Sequence, residues 1–311
     1  MSERVLAIIV SHNPELTSLA NLLDRLKGQV QGVCIVDNHS NNAPQLAQLV
    51  TGRPQSSCGI ELVPLQKNVG LGAAHNRGIE RARQHGCSHI LILDQDSLPH
   101  TNMVANLVQG LKQASLTHRV SAVGPRYFNQ VNQSAPPFIR FGALKFRRLH
   151  CPARSGADRG APNLLEADFL ISSGSLITLS ALEQVGRMDE DLFIDHVDTD
   201  WFLRARSLGF KAFGVCDAVM QHGLGEKTHR VKLLRERNVP QHKPFRYYYI
   251  FRNSVLLYKR RYCWRWKWND LQRLVMIFVM YGLFCPPRKQ HLRMIFQGLR
   301  DGLSGRTGKR P

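Results

Sequence analysis

Two carboxylates stand one residue apart in the stretch HILILDQDSLPH, where Asp94 and Asp96 follow four aliphatic residues and precede Pro99. In extended backbone, side chains two residues apart point to the same side, so both acids can face one crevice where a strand ends. Two like charges held this close repel each other unless a cation lies near them. Magnesium and manganese prefer oxygen ligands, and magnesium commonly takes one or two carboxylates together with water and substrate phosphates. The pair therefore predicts a divalent metal, Mg2+ or Mn2+, and a diphosphate ligand.

An alternative interpretation of the same pair needs no metal. Asp96 would cap the next helix, and Asp94 would be an ordinary residue at the end of a strand, as happens often in α/β folds. The pair alone leaves both interpretations open, so the neighbouring polar clusters must decide between them.

A glycine-rich segment, NVGLGAAHNRGIERA, spans residues 68–82. Gly70 and Gly72 permit a tight turn and a close approach of the backbone to a ligand, just before a helix whose N-terminus favours anions. The segment fails the GxGxxG pattern because His75 occupies the third glycine position, and this argues against a dinucleotide-binding dehydrogenase. An ordinary glycine-rich turn is the alternative for this segment in isolation.

A second acidic segment, MDEDLFIDHVDTDWFLRARSLG, spans residues 188–209. Asp198 shares a helical face with Trp201 and Ala205, so an acid at the helix start can point into the crevice while the tryptophan anchors the helix below. Asp198 could instead be a helix cap. Asp195 and Asp200 are predicted to be solvated or paired with arginines of the same segment. The arginines available for this pairing are Arg204 and Arg206.

These clusters need elements to position them. Runs rich in β-branched and aliphatic residues predict strands at residues 5–10, 32–36, 60–65 and 89–93, and amphipathic segments such as 16–27 and 73–85 predict helices between them. This alternation predicts an α/β fold with a doubly wound, mostly parallel sheet. Such sheets bind ligands at the carboxyl ends of their strands, where residues 11–13, 37–40 and 94–96 converge. Residues 126–165, rich in Pro, Gly and Arg, are predicted to form loops or a hairpin crossing over the sheet.

The length and composition bound the class of protein. The chain has 311 residues, 43% of them apolar, which suffices for one large domain or a domain with an appended subdomain. Its seven cysteines are scattered without a CxxC pair, so they predict neither a disulfide framework nor a zinc ribbon and favour a reducing compartment. The apolar run at 5–10 is too short for a signal-peptide core, and the longest run, 274–285, has twelve residues where a bilayer needs about 20. No membrane-crossing segment is predicted.

The basic charge is concentrated near the C-terminus. Residues 1–225 hold 21 Lys and Arg against 19 Asp and Glu, whereas residues 226–311 hold 21 against 4. We therefore predict a nucleotide-binding and catalytic domain at 1–225 and a basic, helical, aromatic region at 226–311. A field of this sign attracts nucleic acid, an anionic lipid surface or a phosphorylated lipid.

The aromatic content of this region selects among those polyanions. Trp264, Trp266 and Trp268, with the twelve-residue apolar run, fit the headgroup region of a membrane, so peripheral attachment to an anionic membrane surface is predicted. The alternative is a solvated helical subdomain that packs its aromatic residues on the catalytic domain. Binding of nucleic acid would explain the charge but would leave the acidic crevice without a purpose, so no nucleic-acid partner is expected. The last few residues are predicted to fray.

Taken in chain order, these segments resemble glycosyltransferase family 2, the inverting enzymes of the GT-A fold, and most closely its rhamnosyltransferase branch. The motifs that carry the resemblance are SHN at 11–13, VDNHS at 36–40, NVGLGAAHNRGI at 68–79, LDQDS at 93–97, FLISSG at 169–174, LFIDHVDTDWFLRARSLG at 192–209 and QHGLG at 221–225. The resemblance implies a GT-A domain at 1–225 and transfer of a sugar from a nucleotide-sugar donor, dTDP-rhamnose in this branch. It also implies a saccharide or polyprenyl-diphosphate-linked acceptor in cell-surface polysaccharide synthesis, such as that of O-antigen, at the cytoplasmic face of the plasma membrane.

The resemblance also implies roles for the donor-binding residues. Asp37 would bind the base or ribose, as would the turn from Ser11 to Asn13. Asn68 and Asn76, with the adjacent turn at Gly70, would hold the ribose and diphosphate.

The remaining implied roles concern the metal and the transfer itself. Asp94 and Asp96 match the family's DxD motif, in which the second acid usually ligates the metal that neutralises the departing diphosphate. His222 matches a later histidine that helps hold the metal or phosphate, although a lone histidine is more often structural. Asp198 matches the catalytic base, which takes the proton of the attacking hydroxyl.

Two positions depart from the family pattern. Val197 stands where many members carry a second acid, and His12 stands where an aromatic residue is common. The first departure leaves open whether Asp198 or Asp200 is the base, and Asp198 is preferred because its register in VDTDWFLR fits the motif. A sugar-nucleotide-forming nucleotidyltransferase is the alternative enzyme, but the segment SHNPELTSL lacks the glycine-rich, basic loop expected there.

Overall fold

The structure is a computed structural model that describes residues 3–53, 59–128, 135–152, 162–222, 228–232, 236–240 and 242–311. Between residues 222 and 240 it describes the backbone alone.

A large mixed sheet forms the centre of the molecule. Its strands in the described chain follow the order β3-β2-β1-β4-β10-β6-β11-β5, with β9 also paired to β11. Strands β1 to β4, β6 and β11 run parallel to one another, and β5, β9 and β10 run antiparallel to their neighbours. The sheet strands are β1 Val5–Ser11, β2 Gly32–Asp37, β3 Gly59–Pro64, β4 His89–Asp94, β5 Ser97–Pro99, β6 Val120–Phe128, β9 Leu164–Ala167, β10 Leu176–Thr178 and β11 Lys211–His222. Two hairpins complete the strands, β7 Phe138–Arg140 with β8 Arg147–Leu149 and β12 Thr228–Lys232 with β13 Glu236–Pro240.

The helices follow the predicted alternation in the first half of the chain and dominate its end. They are α1 Leu16–Leu26, α2 Ala43–Thr51, α3 Leu71–Gln84, α4 Met103–Ser115, α5 Leu179–Val185, α6 Val197–Ser207, α7 Pro244–Tyr258, α8 Trp264–Val279 and α9 Arg288–Leu303. A 3-10 turn, Glu190–Leu192, precedes α6, and a π-helical turn, Met280–Phe284, follows α8. The predicted α/β class and mostly parallel sheet are confirmed.

The continuous apolar runs of the parallel strands are explained by burial on both faces of the sheet. In β1, Leu6 and Ile8 belong to one apolar cluster, and Val5, Ala7 and Ile9 belong to another. Strand side chains alternate between faces, so a strand covered on both sides must be apolar at every position. This burial holds the carboxyl ends of the strands in place.

The C-terminal helices are packed against the rest of the described chain. Leu256, Leu257 and Trp266 belong to the same apolar cluster as residues of the central sheet. Helix α9 lies close to α7 because Gly298 and Gly302 face its backbone, where a Cβ would come within 2.4 Å and 2.8 Å of the Tyr248 and Arg252 carbonyl oxygens. The division of the chain at residue 225 stays a prediction. Within the described residues, no helix is both long and apolar enough to cross a membrane.

Two expectations about the chain are corrected by the structure. The end of the chain is not frayed, because the Gly308 backbone donates to the Asp191 carbonyl at 2.7 Å and the Arg310 backbone donates to the Tyr249 hydroxyl at 2.8 Å. Cys151 and Cys216 form a disulfide, although the cysteine spacing predicted none. The two residues are 65 positions apart, and only the fold, which brings the segment after β8 onto β11, places them together.

The predicted hairpin within residues 126–165 is confirmed as β7 and β8. Phe138 and Phe141 anchor it in the main apolar cluster, and the Gly214 position of β11 accommodates the Phe138 ring, since a Cβ there would come within 2.3 Å of it. The hairpin therefore covers one face of the sheet beside the disulfide.

Candidate active site

A cleft of about 650 Å³ opens at the carboxyl ends of β1 and β4. Five of the residues predicted for the site line it, namely Asn68, Gly70, Asp94, Asp96 and Asp198. One wall comes from the strand ends, and we call it the strand-end wall. The opposite wall comes from residues 193–198 and the start of α7, and we call it the helical wall.

The acid pair occupies the strand-end wall. Asp94 is half-buried at the last position of β4, and Asp96 is exposed. Gln95, between them, also lines the cleft, and its side-chain oxygen accepts from the His12 backbone at 2.8 Å, which ties the pair to the end of β1. Both acids line the cleft, as predicted, although Asp96 lies in a turn after the strand and not in extended backbone.

The fit of this pair to a divalent metal rests on its donor chemistry. Two carboxylates in an open cleft match the few protein ligands that Mg2+ takes when substrate phosphates supply others. Among the described residues there is no group of three or more His, Cys, Asp or Glu side chains that could hold a metal by itself. The donor chemistry of Asp94 and Asp96 fits a metal that would take its other ligands from water and a phosphate.

A serine pair connects the two acidic centres of the cleft. The Ser173 hydroxyl accepts from the Asp94 backbone at 3.0 Å and lies 2.6 Å from the Ser97 hydroxyl. The adjacent Ser172 backbone donates to the Asp198 carboxylate at 3.2 Å. The FLISSG segment thus joins the end of β4 to the start of α6, a role that was not assigned to this motif from the sequence.

Asp198 is the acid of the helical wall. Its carboxylate accepts from the Ser172 and Thr199 backbones, the latter at 2.7 Å. Burial raises its pKa above the ordinary aspartate value; these two hydrogen bonds oppose the rise and the neighbouring Asp195 charge adds to it. A carboxylate with a raised pKa in a cleft is a stronger proton acceptor than an exposed one.

Asp200, the alternative base, has a different environment. It is fully buried, and it accepts from Arg204 at 2.9 Å, from Tyr262 at 2.5 Å and from Arg260. The predicted pairing with an arginine of its own helix is therefore confirmed for Arg204. Asp200 does not line the cleft, and its acceptor sites face cations and a hydroxyl, so the geometry favours Asp198 as the base.

Arg206 and Asp195, for which pairing within the same segment was also predicted, bind other residues. Arg206 pairs with Asp168, and Asp195 is bound by Arg246 at 2.6 Å, with a second contact to the same guanidinium at 3.4 Å. Asp195 is therefore neither solvated nor paired within its own segment.

The loop before Asp198 has unusual backbone geometry. Phe193, Asp195 and His196 have φ values of 64°, 62° and 62°, a region that residues other than glycine adopt rarely and at a cost in energy. Such geometry persists only where surrounding contacts hold it. Here the Asn253 side-chain amide donates to the carbonyls of residues 192, 194 and 195 at 2.9–3.0 Å.

Arg252 supports the same loop from below. It is fully buried and donates to the Leu192 carbonyl at 2.8 Å and to the Asp191 carbonyl at 3.2 Å. The side-chain donors of Arg252 and Asn253 are thus both bound to backbone carbonyls. Their role in this structure is to position the loop.

His196 links the loop to α8. Its Nε2 accepts from Arg273 at 2.9 Å and lies 3.0 Å from the Ser254 hydroxyl, and its ring packs edge-on against Trp266. Burial lowers its pKa to about 4, so the ring is neutral at neutral pH and its Nε2 can accept from the Arg273 guanidinium.

The turn at Gly70 packs against the loop of residues 193–196. Gly70 has a φ of 91°, and a Cβ there would come within 2.6 Å of the Phe193 carbonyl oxygen. The Leu71 backbone donates to that carbonyl at 2.5 Å. The glycine therefore lets the start of α3 close against the helical wall, and Asn68 beside it accepts from Asn38 at 3.2 Å.

Four predicted donor-binding residues are not among those that line the cleft. The Asp37 carboxylate is buried and accepts from the Ser11 hydroxyl at 3.0 Å and the Ser40 backbone at 3.1 Å. Asn13 accepts from the Asn41 backbone at 2.7 Å. Asn76 is buried and bonds both the backbone N–H and the carbonyl of Met188 at 2.9 Å. These contacts shape the loops around the cleft.

The remaining prediction for this site concerns His222. It is the last residue of β11, and its backbone lies opposite Ser97 in the neighbouring strand β5. Its side chain lies outside the described part of the structure, so its predicted role as a metal or phosphate ligand stays a prediction.

Sequence reasoning missed the contribution of α7 to the cleft. His242, Phe245 and Arg246 line it, more than 40 positions after Asp198. Arg246 contacts Asp195 and lies 3.2 Å from the His242 ring nitrogen. The segment RYYYIFRNS, residues 246–254, contains Arg246, but its spacing does not show which of its residues face a ligand.

Two solved structures share this architecture. Staphylococcus aureus TarS 1–349 in complex with UDP-GlcNAc aligns with a TM-score of 0.58 at 12% identity, over 97% of this chain and 81% of that one. The mannosyltransferase PcManGT from Pyrobaculum calidifontis, in complex with GDP-Man and Mn2+, aligns with a TM-score of 0.55 at 14% identity, over 98% of this chain and 76% of that one. The fold is the GT-A fold of glycosyltransferases, as predicted.

The sequence comparison adds the family. The family model described as glycosyl transferase family 2 matches residues 7–163, half of the chain, and the chain belongs to this family. A relative, the dTDP-rhamnosyl transferase RfbF of Shigella flexneri, is 29% identical over 265 residues, which are 84% of this chain and 82% of the relative. The chain is a glycosyltransferase, which favours sugar transfer over the nucleotidyltransferase and nucleic-acid-binding alternatives.

Proposed function

We propose that the protein transfers L-rhamnose from dTDP-β-L-rhamnose to a hydroxyl of a saccharide or polyprenyl-diphosphate-linked saccharide acceptor in polysaccharide synthesis. The observation that carries the transfer chemistry is that Asp94, Asp96 and Asp198 line one cleft, bridged by Ser172 and Ser173. The choice of sugar is supported by the similarity to the Shigella flexneri dTDP-rhamnosyl transferase.

The proposed reaction is a single displacement at the anomeric carbon. The acceptor oxygen forms a bond to the anomeric carbon while the bond between that carbon and the diphosphate oxygen breaks. The nucleoside diphosphate leaves with the electron pair of the broken bond. Asp198 takes the hydroxyl proton as the acceptor attacks, for which its raised pKa is suited. One attack from the face opposite the leaving group inverts the configuration, so a β-L-rhamnosyl donor gives an α-L-rhamnoside.

A divalent metal fits the leaving-group side of this reaction. Asp94 and Asp96 supply the oxygen ligands, and His222 is proposed to assist them. When bound, such an ion stabilises the negative charge that develops on the departing diphosphate. Mn2+ is present in the solved structure of PcManGT.

Donor binding is proposed to use two groups of residues. Asn68 and the Gly70 turn, which line the cleft, would contact the ribose and diphosphate. Ser11, Asn13, Asp37 and Asn76 would support the nucleotide through the loops that they hold. The basic region at 226–311 would attach the enzyme to an anionic membrane surface, where a polyprenyl-linked acceptor resides.

A donor screen with matched variants tests the proposal. Wild type, Asp96→Ala and Asp198→Asn are compared for release of nucleoside diphosphate from dTDP-rhamnose, UDP-GlcNAc and GDP-mannose, with Mn2+ and with a chelator. Glu183→Gln, which alters an exposed carboxylate on α5, is the control. We expect release from dTDP-rhamnose in wild type and the control, dependence on the metal, and loss in both variants.

Two results would contradict separate parts of this proposal. Preference for UDP-GlcNAc or GDP-mannose over dTDP-rhamnose would reject the sugar and leave the cleft assignment standing. Undiminished release by Asp96→Ala and Asp198→Asn would reject the cleft assignment itself.

A further inference from the structure

Helix α8 presents an exposed apolar stripe. Its members recur every three or four positions, so they share one face of the helix. They are Trp264, Trp268, Leu271, Val275 and Val279, with exposed fractions between 36% and 61%. The stripe is about 22 Å long at 1.5 Å per residue. A continuous exposed apolar surface of this kind marks an interaction site more often than scattered single residues do.

The opposite face of α8 is fixed to the protein. Trp266, Asn269, Asp270 and Leu274 are buried, and the Asn269 side chain donates to the Gly142 carbonyl at 3.0 Å. The stripe is therefore directed outward by a helix that is anchored on its other side.

Helix α9 adds positive charge beside the stripe. Lys289, Arg293, Phe296 and Arg300 follow a spacing of three or four, so they too share a face. Phe296 is 56% exposed and contacts the Phe278 ring of α8 edge-on at 6.1 Å, which brings the two faces together. Within the described residues, neither Lys289 nor Arg293 forms an ion pair with an acidic side chain.

We infer that the α8 stripe and the basic face of α9 together form the surface that docks on an anionic lipid bilayer. Trp and aliphatic side chains enter the boundary between headgroups and acyl chains, while Lys and Arg bind the negative headgroups. The inference rests on the proposed membrane attachment and is independent of the sugar donor. Of the three tryptophans predicted to contact the membrane, it keeps Trp264 and Trp268; the prediction is wrong for Trp266, which is buried.

Charge decides between a bilayer and the other possible occupants. A second copy of the chain meeting the first through this surface would bring two basic faces together, and like charges oppose such contact. Nucleic acid would satisfy the basic face but would leave the apolar stripe without partners. An anionic bilayer complements both faces.

Vesicle sedimentation of the full chain tests this inference. Wild type is mixed with vesicles of phosphatidylcholine alone and of phosphatidylcholine with about one third phosphatidylglycerol, at low and high salt. The stripe variant is Trp264→Ser/Leu271→Ser/Val275→Ser, and its control is Leu116→Ser/Leu208→Ser, which alters exposed apolar residues elsewhere. The charge variant is Lys289→Glu/Arg293→Glu, and its control is Arg25→Glu/Lys27→Glu on the far end of α1. Circular dichroism and release of diphosphate from the donor verify that each variant is folded.

The expected result is binding of wild type and both controls to the anionic vesicles, weakened at high salt, with a fall of about tenfold or more in partitioning for each variant. A blue shift of tryptophan fluorescence on binding, lost in the stripe variant, would report insertion.

Several outcomes would overturn the inference in distinguishable ways. Absence of wild-type binding to either vesicle would reject membrane attachment itself while leaving the glycosyl transfer untouched. Wild-type binding that survives in both variants would place the contact elsewhere. Loss in the charge variant alone would mean that the stripe does not dock. If wild type is a dimer that does not bind vesicles, and the stripe variant is a monomer, the surface would be assigned to contact with a second copy of the chain.

Discussion

The two walls of the cleft are built in different ways. On the strand-end wall, Asp94 and Asp96 follow directly from a strand that is buried on both faces, and their position depends on contacts close in sequence or in neighbouring strands. On the helical wall, Asp198 follows a loop with three positive φ values, and that loop is held by Arg252 and Asn253. Those two residues come more than 50 positions later in the chain.

This contrast matches the different chemical roles proposed for the two walls. The strand-end wall needs only rigidly placed charges that attract a cation. A buried sheet provides that rigidity through the regular pairing of its strands. The helical wall must hold one carboxylate partly out of water, with a raised pKa, beside an open acceptor side. Strained backbone and a buried polar network are the means by which it does so.

The largest effect on turnover is expected for substitution of Asp198, and the substitution of its neighbour Asp200 should act on stability instead. Asp198→Asn should lower kcat by about 10²–10⁴-fold, the usual contribution of a general base, and leave donor affinity nearly unchanged. Asp200→Asn should instead lower stability by about 3–5 kcal/mol, because it leaves Arg204 and Arg260 without their buried carboxylate. Single-turnover kinetics and denaturant unfolding of the two variants distinguish these results. The assignment of the base is wrong if Asp198→Asn only destabilises and the folded fraction of Asp200→Asn is inactive.

On the strand-end wall, Asp96→Ala should weaken binding of dTDP with Mn2+ by roughly 10–100-fold, a loss that even outer partners of metal ligands can produce. The reason is the removal of an exposed cleft carboxylate that would ligate a cation beside the diphosphate. Calorimetric titration with and without Mn2+ measures it, and unfolding in denaturant should be unchanged. Equal affinity for dTDP in the variant would show that the strand-end wall does not hold a metal.

A substitution in the support of the helical wall should affect stability and turnover together. Asn253→Leu leaves the carbonyls of residues 192, 194 and 195 without a donor, which should cost about 1–3 kcal/mol and lower kcat more than donor affinity. Asn106→Leu is the control, since Asn106 lies on α4 and does not line the cleft, and its loss removes one side-chain bond to the Asp217 carbonyl of β11. If both variants lose stability equally and keep full kcat, the loop does not position the base.

The smallest effect is expected in the pH profile. Asp198 acts as a base only when ionised, and burial raises its pKa, so kcat/KM should fall as pH is lowered through a value above the ordinary aspartate pKa. Asp195→Asn removes a charge that raises this pKa and should move the fall to lower pH. Measurement of kcat/KM against pH for both proteins checks the sign. A shift to higher pH in Asp195→Asn would contradict the proposed electrostatics.

The strand-end wall was largely predictable from sequence, and the helical wall was not. The apolar runs fixed four strands and the crevice at their ends, so Asp94 and Asp96 could be placed in it because they follow the apolar run of β4. Asp37 was placed at the correct edge of the sheet, but its contacts with Ser11 and Ser40 depend on side-chain directions that no periodicity describes.

The helical wall depends on contacts between distant segments. The motif around residue 198 identified an acid at the start of a helix, and it could not show that Asn253 shapes the preceding loop or that Ser172 donates to the carboxylate. Buried polar partners of this kind are set by packing, and they leave no regular pattern in the chain.

The return of the chain end to the loop below the cleft has a practical consequence for protein engineering. Gly308 bonds the residue-191 backbone and accepts from Arg252, so it belongs to the same support as the catalytic loop. Deleting residues 308–311 would remove these contacts and leave every residue of α9 in place, so a variant shortened there would lose part of the support of the loop without losing a helix.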